Sequence, residues 1–134
     1  GRCTVTKTDW KKYGNFYRDV VRATETLLEH NHHRPFALAV SAQDYARLVQ
    51  QLEGQFAPEV DAISRLCDDG VFNSPAIPEG KAVLLSTGDQ NFDIALTEDL
   101  SITFLGERDQ DYPFRVYECL ALRVKRPPAI CTIE

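Results

Sequence analysis

The sequence predicts an α+β fold, and the main reason is a change in hydrophobic period near Gly70. Before Gly70, apolar residues recur every three or four positions, as on one face of a helix. After Gly70 they alternate with polar residues, as in strands. The hydrophobic content of 43% and the charged content of 26% are ordinary globular values, which exclude a disordered or low-complexity protein. No apolar run approaches the ~20 residues of a membrane span.

A long amphipathic helix is predicted between Asp9 and Glu29, where apolar residues follow helical spacing. Gly14-Asn15 interrupts this stripe, and Asn15 is expected to be the N-cap of the regular helix. The polar stretch that follows ends in Pro35, which stops the helix.

A buried strand and two shorter helices are predicted between Phe36 and Gly70. Residues 36–40 are continuously apolar and predict the strand. Ser41 and Asp44 resemble a capping box with Asp in place of Glu, so a helix is expected from there to Gly54. Pro58 suits the start of the next helix, which the Asp68-Asp69-Gly70 turn ends.

The remainder of the chain predicts strands separated by turns rich in Asn, Asp, Pro and Gly. The longest would span residues 114–125, about 12 residues against the usual 5–6. Its Glu118 falls on the apolar face, where an ion pair with another segment is expected. The predicted strands are 71–72, 82–87, 92–96, 100–105, 114–125 and 129–133.

Charge and cysteine content limit the classes of partner. The net charge of −5 and the isoelectric point near 5.2 argue against a nucleic-acid-binding surface, which concentrates Lys and Arg. Cys3, Cys67, Cys119 and Cys131 are far apart without a Cys-x-x-Cys pair, so reduced thiols in a cytoplasmic protein are expected. The sequence contains no Met and opens Gly1-Arg2-Cys3, so a piece of a longer protein is expected.

Catalytic motifs are absent from the sequence: there is no phosphate loop, no Gly-x-Ser-x-Gly and no His-Glu-x-x-His. His30, His32 and His33 lie beside Glu29 and could bind a transition metal, which would suit a small metal-dependent hydrolase. A solvated connection between helix and strand is the preferred interpretation, because adjacent histidines coordinate one ion poorly.

Asp68 and Asp69 follow a predicted helix C-terminus, where the helix dipole disfavours negative charge. Two interpretations stay open on the residues alone. Asp-Gly can simply form a tight turn, or the exposed acidic loop has a use beyond folding.

Four stretches resemble the encapsulin shell proteins, a family first labelled linocin-type bacteriocins. They are Arg-Pro-Phe-Ala-Leu-Ala-Val-Ser (34–41), Gly-Val-Phe-Asn-Ser-Pro-Ala (70–76), the segment from Thr-Gly-Asp-Gln-Asn-Phe-Asp (87–102) and the segment from Pro-Phe-Arg-Val-Tyr-Glu (113–132). The resemblance runs in order over about residues 15–133.

The resemblance implies a tailed-phage major-capsid-like fold, without the N-terminal arm and extended loop of the family. Residues 1–34 would supply the spine helix of the peripheral domain and its lead-in, 35–112 the axial domain, and 113–134 a return strand of the peripheral domain. Such subunits form icosahedral compartments in the cytoplasm around cargo such as a ferritin-like protein or a dye-decolourising peroxidase. No catalytic residue and no cofactor are implied, and neither nucleic acid nor membrane is an expected partner.

The resemblance also places one loop at the five-fold pore of the shell. Its residues would be Asp68, Asp69, Gly70, Val71, Phe72 and Asn73. Five copies would bring up to about ten carboxylates to one opening, which would favour cations such as iron. The sequence does not identify cargo-binding residues. A soluble scaffold domain that never forms shells is a further alternative.

Overall fold

The computed structural model describes the backbone of residues 1–104 and 114–134, and the side chains of residues 1–95 and 120–134. Helices and strands are both present, as expected for the α+β class. In chain order they are β1 (Cys3–Val5), α1 (Asn15–Glu29), β2 (Phe36–Val40), α2 (Ala42–Val49), α3 (Glu59–Leu66), β3 (Val71–Asn73), β4 (Ala82–Ser86), β5 (Phe92–Phe104), β6 (Phe114–Val124), a 3₁₀ turn (Pro127–Ala129) and β7 (Ile130–Ile133).

Five strands form a mixed sheet in the order β1-β7-β4-β2-β3. β4 runs antiparallel to both of its neighbours, β2 and β7. At the two edges, β1 pairs in parallel with β7 and β3 pairs in parallel with β2. β1 was not predicted from the sequence. It has three residues and pairs with the far end of the chain, Cys3 opposite Cys131, so no local pattern marks it.

Helix α1 covers one face of this sheet and builds the core with it. The predicted stripe is confirmed in part, because Tyr13 and Leu28, which it included, are exposed. The buried residues of α1 recur at helical spacing and are Phe16, Asp19, Val20, Ala23 and Leu27. The same core contains Leu38 of β2, Leu84 of β4 and Ile133 of β7, all fully buried. Within the described residues, one core therefore contains side chains from both sides of position 34. The predicted division into the segments 1–34, 35–112 and 113–134 stays a prediction.

The N-terminus of α1 differs from the prediction, because Asn15 does not cap it. Asn15 is the first helical residue and its amide donates to the carbonyl of Asp9 at 2.9 Å. The residue before it, Gly14, has φ +90°, a left-handed conformation that glycine adopts without strain. The Tyr17 N–H donates instead to the Glu59 carboxylate, 2.9 Å away on α3. The cap is thus a tertiary contact that local sequence could not reveal.

The predicted N-cap of α2 is confirmed at Ser41, but Asp44 pairs with the Ser41 hydroxyl and not with its backbone N–H, so the capping box is incomplete. The Ser41 Oγ accepts from the Asp44 N–H at 3.1 Å and donates to the Asp44 carboxylate at 2.7 Å. The predicted end at Gly54 is wrong, since α2 stops at Val49 and Gln50 is extended. Leu52 remains half exposed, so a longer helix would have buried little apolar surface.

A two-stranded ribbon, β5 with β6, leaves the sheet. The two strands predicted at 92–96 and 100–105 are one strand, β5, because the polar residues between them form bulges rather than a turn. Buried Asn91 fixes the base of the ribbon. Its side-chain NH₂ donates to the Ser86 backbone carbonyl at 2.8 Å, and its backbone carbonyl accepts from the Lys125 N–H at 2.8 Å.

Candidate functional site

The backbone of the loop predicted as functional, residues 68–73, is fixed to the start of β2. The Asp69 N–H donates to the Phe36 carbonyl at 3.0 Å, and the Gly70 carbonyl accepts from the Leu38 N–H at 3.1 Å. Gly70 has φ +104°, and a Cβ there would lie 3.3 Å from the Phe72 ring. Glycine at this position therefore allows both the turn and the close approach of Phe72.

Asp68, the first carboxylate of the loop, is ion-paired with Arg34. The Arg34 Nε donates to Asp68 Oδ2 at 2.8 Å, and Arg34 Nη2 donates to Asp68 Oδ1. Hydrogen bonding from Arg34 holds the pKa of Asp68 below its usual range and raises the pKa of Arg34. At neutral pH the two charges cancel.

The second carboxylate of the loop has a neutral partner. Asp69 Oδ2 accepts from the Thr87 hydroxyl, and the Thr87 N–H donates to the Pro35 carbonyl at 2.9 Å. Among the side chains that the structure describes, no Lys or Arg lies within ion-pair distance of Asp69. The loop therefore carries one compensated and one uncompensated carboxylate.

The remaining predicted residues, Val71 to Asn73, form the edge strand β3. Phe72 is 55% exposed there and leaves an aromatic side chain on the surface of the same loop. Sequence reasoning found this contiguous segment but missed Arg34 and Thr87. They lie 34 and 18 residues from their partners, and no spacing rule links them.

The histidine cluster is not a metal centre within the described residues. His30 hydrogen-bonds through Nδ1 to the Thr26 carbonyl at 2.7 Å. His32 is buried, and burial with the nearby Arg126 charge lowers its pKa. No three His, Cys, Asp or Glu side chains converge in the part of the chain that is described. The hydrolase alternative has no geometric support.

Glu118 lies outside the described side chains, so its expected ion pair stays a prediction. Arg123, on the same strand, binds Asp93 instead, with its Nε and Nη2 each 2.6 Å from a carboxylate oxygen. Lys125 Nζ lies 2.9 Å from the same carboxylate. Hydrogen bonds from Arg123 and Lys125 lower the pKa of Asp93 to about 2.

Cys3, Cys67 and Cys131 are free thiols, as expected, and Cys119 lies outside the described side chains. Burial raises the pKa of Cys67 and of Cys131 to about 11. Both buried thiols therefore stay protonated and unreactive at neutral pH.

Four exposed aliphatic side chains share one face of the ribbon among the residues described. We call it the ribbon face. Register places its members on one side of the two strands, with Ile94 opposite Leu122. It borders a groove of about 410 Å³ that Leu85 and Ile130 of the sheet also line. The members and their exposed fractions are Ile94 (64%), Leu120 (59%), Leu122 (70%) and Val124 (43%).

Sequence comparison relates the chain to known proteins. The model of a family described as "Encapsulating protein for peroxidase" matches residues 2–121. The type 1 encapsulin shell protein EncA of Myxococcus xanthus is 38% identical over 134 residues, which are 100% of this chain and 47% of EncA. A diheme-cytochrome–encapsulin shell fusion protein of Kuenenia stuttgartiensis is 35% identical over 100% of this chain and 37% of its own length. The chain therefore spans about half the length, or less, of these relatives.

Structural comparison relates the fold to particle-forming proteins. A virus-like particle from Pyrococcus furiosus matches 100% of this chain and 56% of its own chain, with a TM-score of 0.82 at 23% identity. The capsid of the Myoviridae phage XM1 matches 99% of this chain and 51% of its own, with a TM-score of 0.72 at 11% identity. The chain has a phage-capsid-like fold. In the described residues, no helix has the length and apolar character to cross a membrane.

Proposed function

Because the chain belongs to the family of encapsulating shell proteins, we propose that its residues form part of a subunit that assembles into a closed icosahedral shell. The observation that carries this proposal is the 38% identity to a shell protein over every residue of the chain. The subunit acts by assembly, and it contributes no catalytic group or cofactor of its own.

The ribbon face supports a role in assembly. Four large aliphatic side chains that stand 43–70% exposed would favour aggregation of an isolated soluble domain. In a larger subunit or a shell, neighbouring protein would bury these side chains. Each Å² of apolar surface removed from water contributes about 25 cal/mol of favourable free energy. The free-energy gain from that burial favours assembly.

The enclosed cargo is an enzyme, and the two classes we propose are a ferritin-like protein and a dye-decolourising peroxidase. A peroxidase agrees with the description of the family. The Kuenenia relative, named as a fusion of a diheme cytochrome with a shell protein, supports redox cargo in general. The compartment would lie in the cytoplasm.

The loop of residues 68–73 would surround the five-fold opening of this shell and favour cations such as iron. Asp69, whose charge no described Lys or Arg compensates, supports this role, as does the exposed position of β3 at the sheet edge. A ring of such carboxylates attracts cations and repels anions.

Electron microscopy and sedimentation of the purified subunit that contains these residues test the proposal. We expect hollow closed particles. A matched pair of variants tests the ribbon face, because Val124 and Val49 are 43% and 42% exposed but only Val124 lies on it. Val124→Lys should reduce assembly and Val49→Lys should not. If the unchanged protein forms no particles, the proposed shell is refuted. If both variants assemble equally well, the proposed role of the ribbon face is refuted.

A further inference from the structure

Cys3 and Cys131 lie side by side on neighbouring strands of the sheet. β1 runs parallel to β7, and the register of the two strands places Cys3 opposite Cys131. The next pair along the strands shows that opposite side chains meet here, because the hydroxyl oxygens of Thr4 and Thr132 are 3.1 Å apart. Adjacent strands lie about 4.8 Å apart, within the range of Cα separations that a disulfide bond spans. The strand pairing therefore places the two cysteines within reach of a disulfide.

Both thiols lie on the side of the sheet that faces the core. Cys131 is fully buried, and Cys3 packs against the same core while it stays partly exposed. Val5 and Ile133, two residues further along each strand, are buried in this core too, as strand alternation requires. The two sulfurs are not bonded to each other, and the Cys3 S–H donates to the Pro128 carbonyl at 3.7 Å. The pair is thus a dithiol with one member open to solvent.

We propose that Cys3 and Cys131 form a reversible disulfide when the protein meets a peroxide, and that this bond joins the edge strand β1 covalently to β7. The inference is independent of the proposed shell, because it depends only on contacts within one chain. A disulfide that forms under oxidation agrees with the reduced thiols expected in a cytoplasmic protein, since cytosolic disulfides are usually transient and redox-sensing.

The reaction has two steps, and Cys3 reacts first because it is the partly exposed member of the pair. Its thiolate attacks one oxygen of hydrogen peroxide, the O–O bond breaks, and a sulfenic acid forms with release of hydroxide. The Cys131 sulfur then attacks the Cys3 sulfur. The S–S bond forms, the S–O bond breaks, and the departing hydroxide leaves as water with the Cys131 proton. In total, two thiols lose two electrons and two protons, and one peroxide becomes two waters.

The buried thiols are poor first targets for an oxidant in solution. Burial raises the pKa of Cys67 and of Cys131 to about 11, so both stay protonated. Cys131 differs from Cys67 in its neighbour, because its position beside Cys3 makes the second step intramolecular and raises the effective concentration of the attacking sulfur. Cys67 lies at the end of α3, outside every strand pair, and is not opposite another described cysteine.

Oxidation of the purified subunit that contains these residues tests the inference. After treatment with hydrogen peroxide, we expect mass spectrometry to find the tryptic peptides of Cys3 and Cys131 joined, and dithiothreitol to separate them. A disulfide between distant residues removes conformations from the unfolded chain. The midpoint of thermal unfolding of the unassembled subunit should therefore rise by about 5–10 °C on oxidation and return on reduction.

Matched variants separate this disulfide from a general effect of peroxide, each compared with its own reduced form. Cys3→Ser changes a partly exposed residue and should abolish both the joined peptides and the rise in the unfolding midpoint. Cys131→Ala should do the same, and its Cys3 should then oxidise further to the sulfinic acid. Cys67→Ala removes a buried thiol that has no paired cysteine, and it should keep both the joined peptides and the rise.

The inference is overturned if peroxide leaves the Cys3 and Cys131 peptides separate, or if it joins either cysteine to Cys119 instead. An equal rise of the unfolding midpoint in Cys3→Ser would overturn the stabilising role of the bond. Neither result concerns particle formation, so a failure here leaves the proposed shell intact. Conversely, a protein that forms no particles but joins these two peptides would refute the shell and support the disulfide.

Discussion

The five-stranded sheet and the β5–β6 ribbon contain similar aliphatic side chains, but these side chains lie in different surroundings. Leu84 of β4 is fully buried between α1 and the neighbouring strands, whereas Leu122 of β6 is 70% exposed. The sheet completes its own core. The two strands of the ribbon pair through their backbones, and the apolar side chains described on one face remain exposed.

The two regions also use polar groups differently. Near the sheet, the buried Asp19 carboxylate accepts from the Trp10 indole and the Thr8 N–H, both at 2.7 Å. On the ribbon, Asp93 is held by Arg123 and Lys125 at the surface. The sheet therefore buries its apolar and charged groups together, whereas the described part of the ribbon exposes both.

The largest expected effect on stability comes from making the same substitution, Leu to Ala, once in the sheet and once in the ribbon. Leu84→Ala should lower the free energy of unfolding by about 2–5 kcal/mol, because it removes buried methyl groups and leaves a cavity. Leu122→Ala should change the same quantity by less than about 0.5 kcal/mol. Urea unfolding of the unassembled chain measures both. Equal losses of unfolding free energy in the two variants would mean that the ribbon face is buried in solution, which would contradict the difference between the two regions.

A second substitution tests the buried polar network. Asp19→Ala should cost about 1–3 kcal/mol, since it leaves the buried Trp10 indole N–H without an acceptor, whereas water can reach the exposed Thr8. Exposed Asp89 is the control, and Asp89→Ala should stay within about 0.5 kcal/mol. The same urea titration measures both variants, and a neutral Asp19→Ala would contradict the described network.

The smallest effect is a pH dependence on the ribbon. The pKa of Asp93 is about 2 in the folded chain and about 3.9 in an unfolded one. The depressed folded value means that its stabilising contribution is complete above about pH 5 and is lost as the pH falls toward 2. Unfolding midpoints of the unchanged chain and of Asp93→Asn should therefore differ at pH 6 and converge near pH 2. A constant difference would contradict the ion pair.

Local chemistry made part of this structure predictable. The Ser41 N-cap of α2 and the buried members of the α1 stripe depend on neighbours three or four residues away, and both agree with the structure. The turn that follows α3 was predictable for the same reason, since Asp-Asp-Gly after a helical stripe is visible in the sequence, whereas the function of this loop stays a prediction.

Contacts between distant segments were not predictable. The Glu59 contact at the start of α1 spans 42 residues, the Arg34–Asp68 pair spans 34, and β1 pairs with the opposite end of the chain. The alternating pattern of β6 correctly marked one face as apolar. It could not show that this face is exposed, because periodicity reports which side chains share a face and not what covers it.

A reconstruction of the assembled particles by electron cryomicroscopy tests the central claim most directly. We expect closed icosahedral shells in which residues 68–73 line the five-fold openings and neighbouring protein buries the ribbon face. Shells in which that loop lies away from every opening, or a protein that stays monomeric at all concentrations tested, would contradict it.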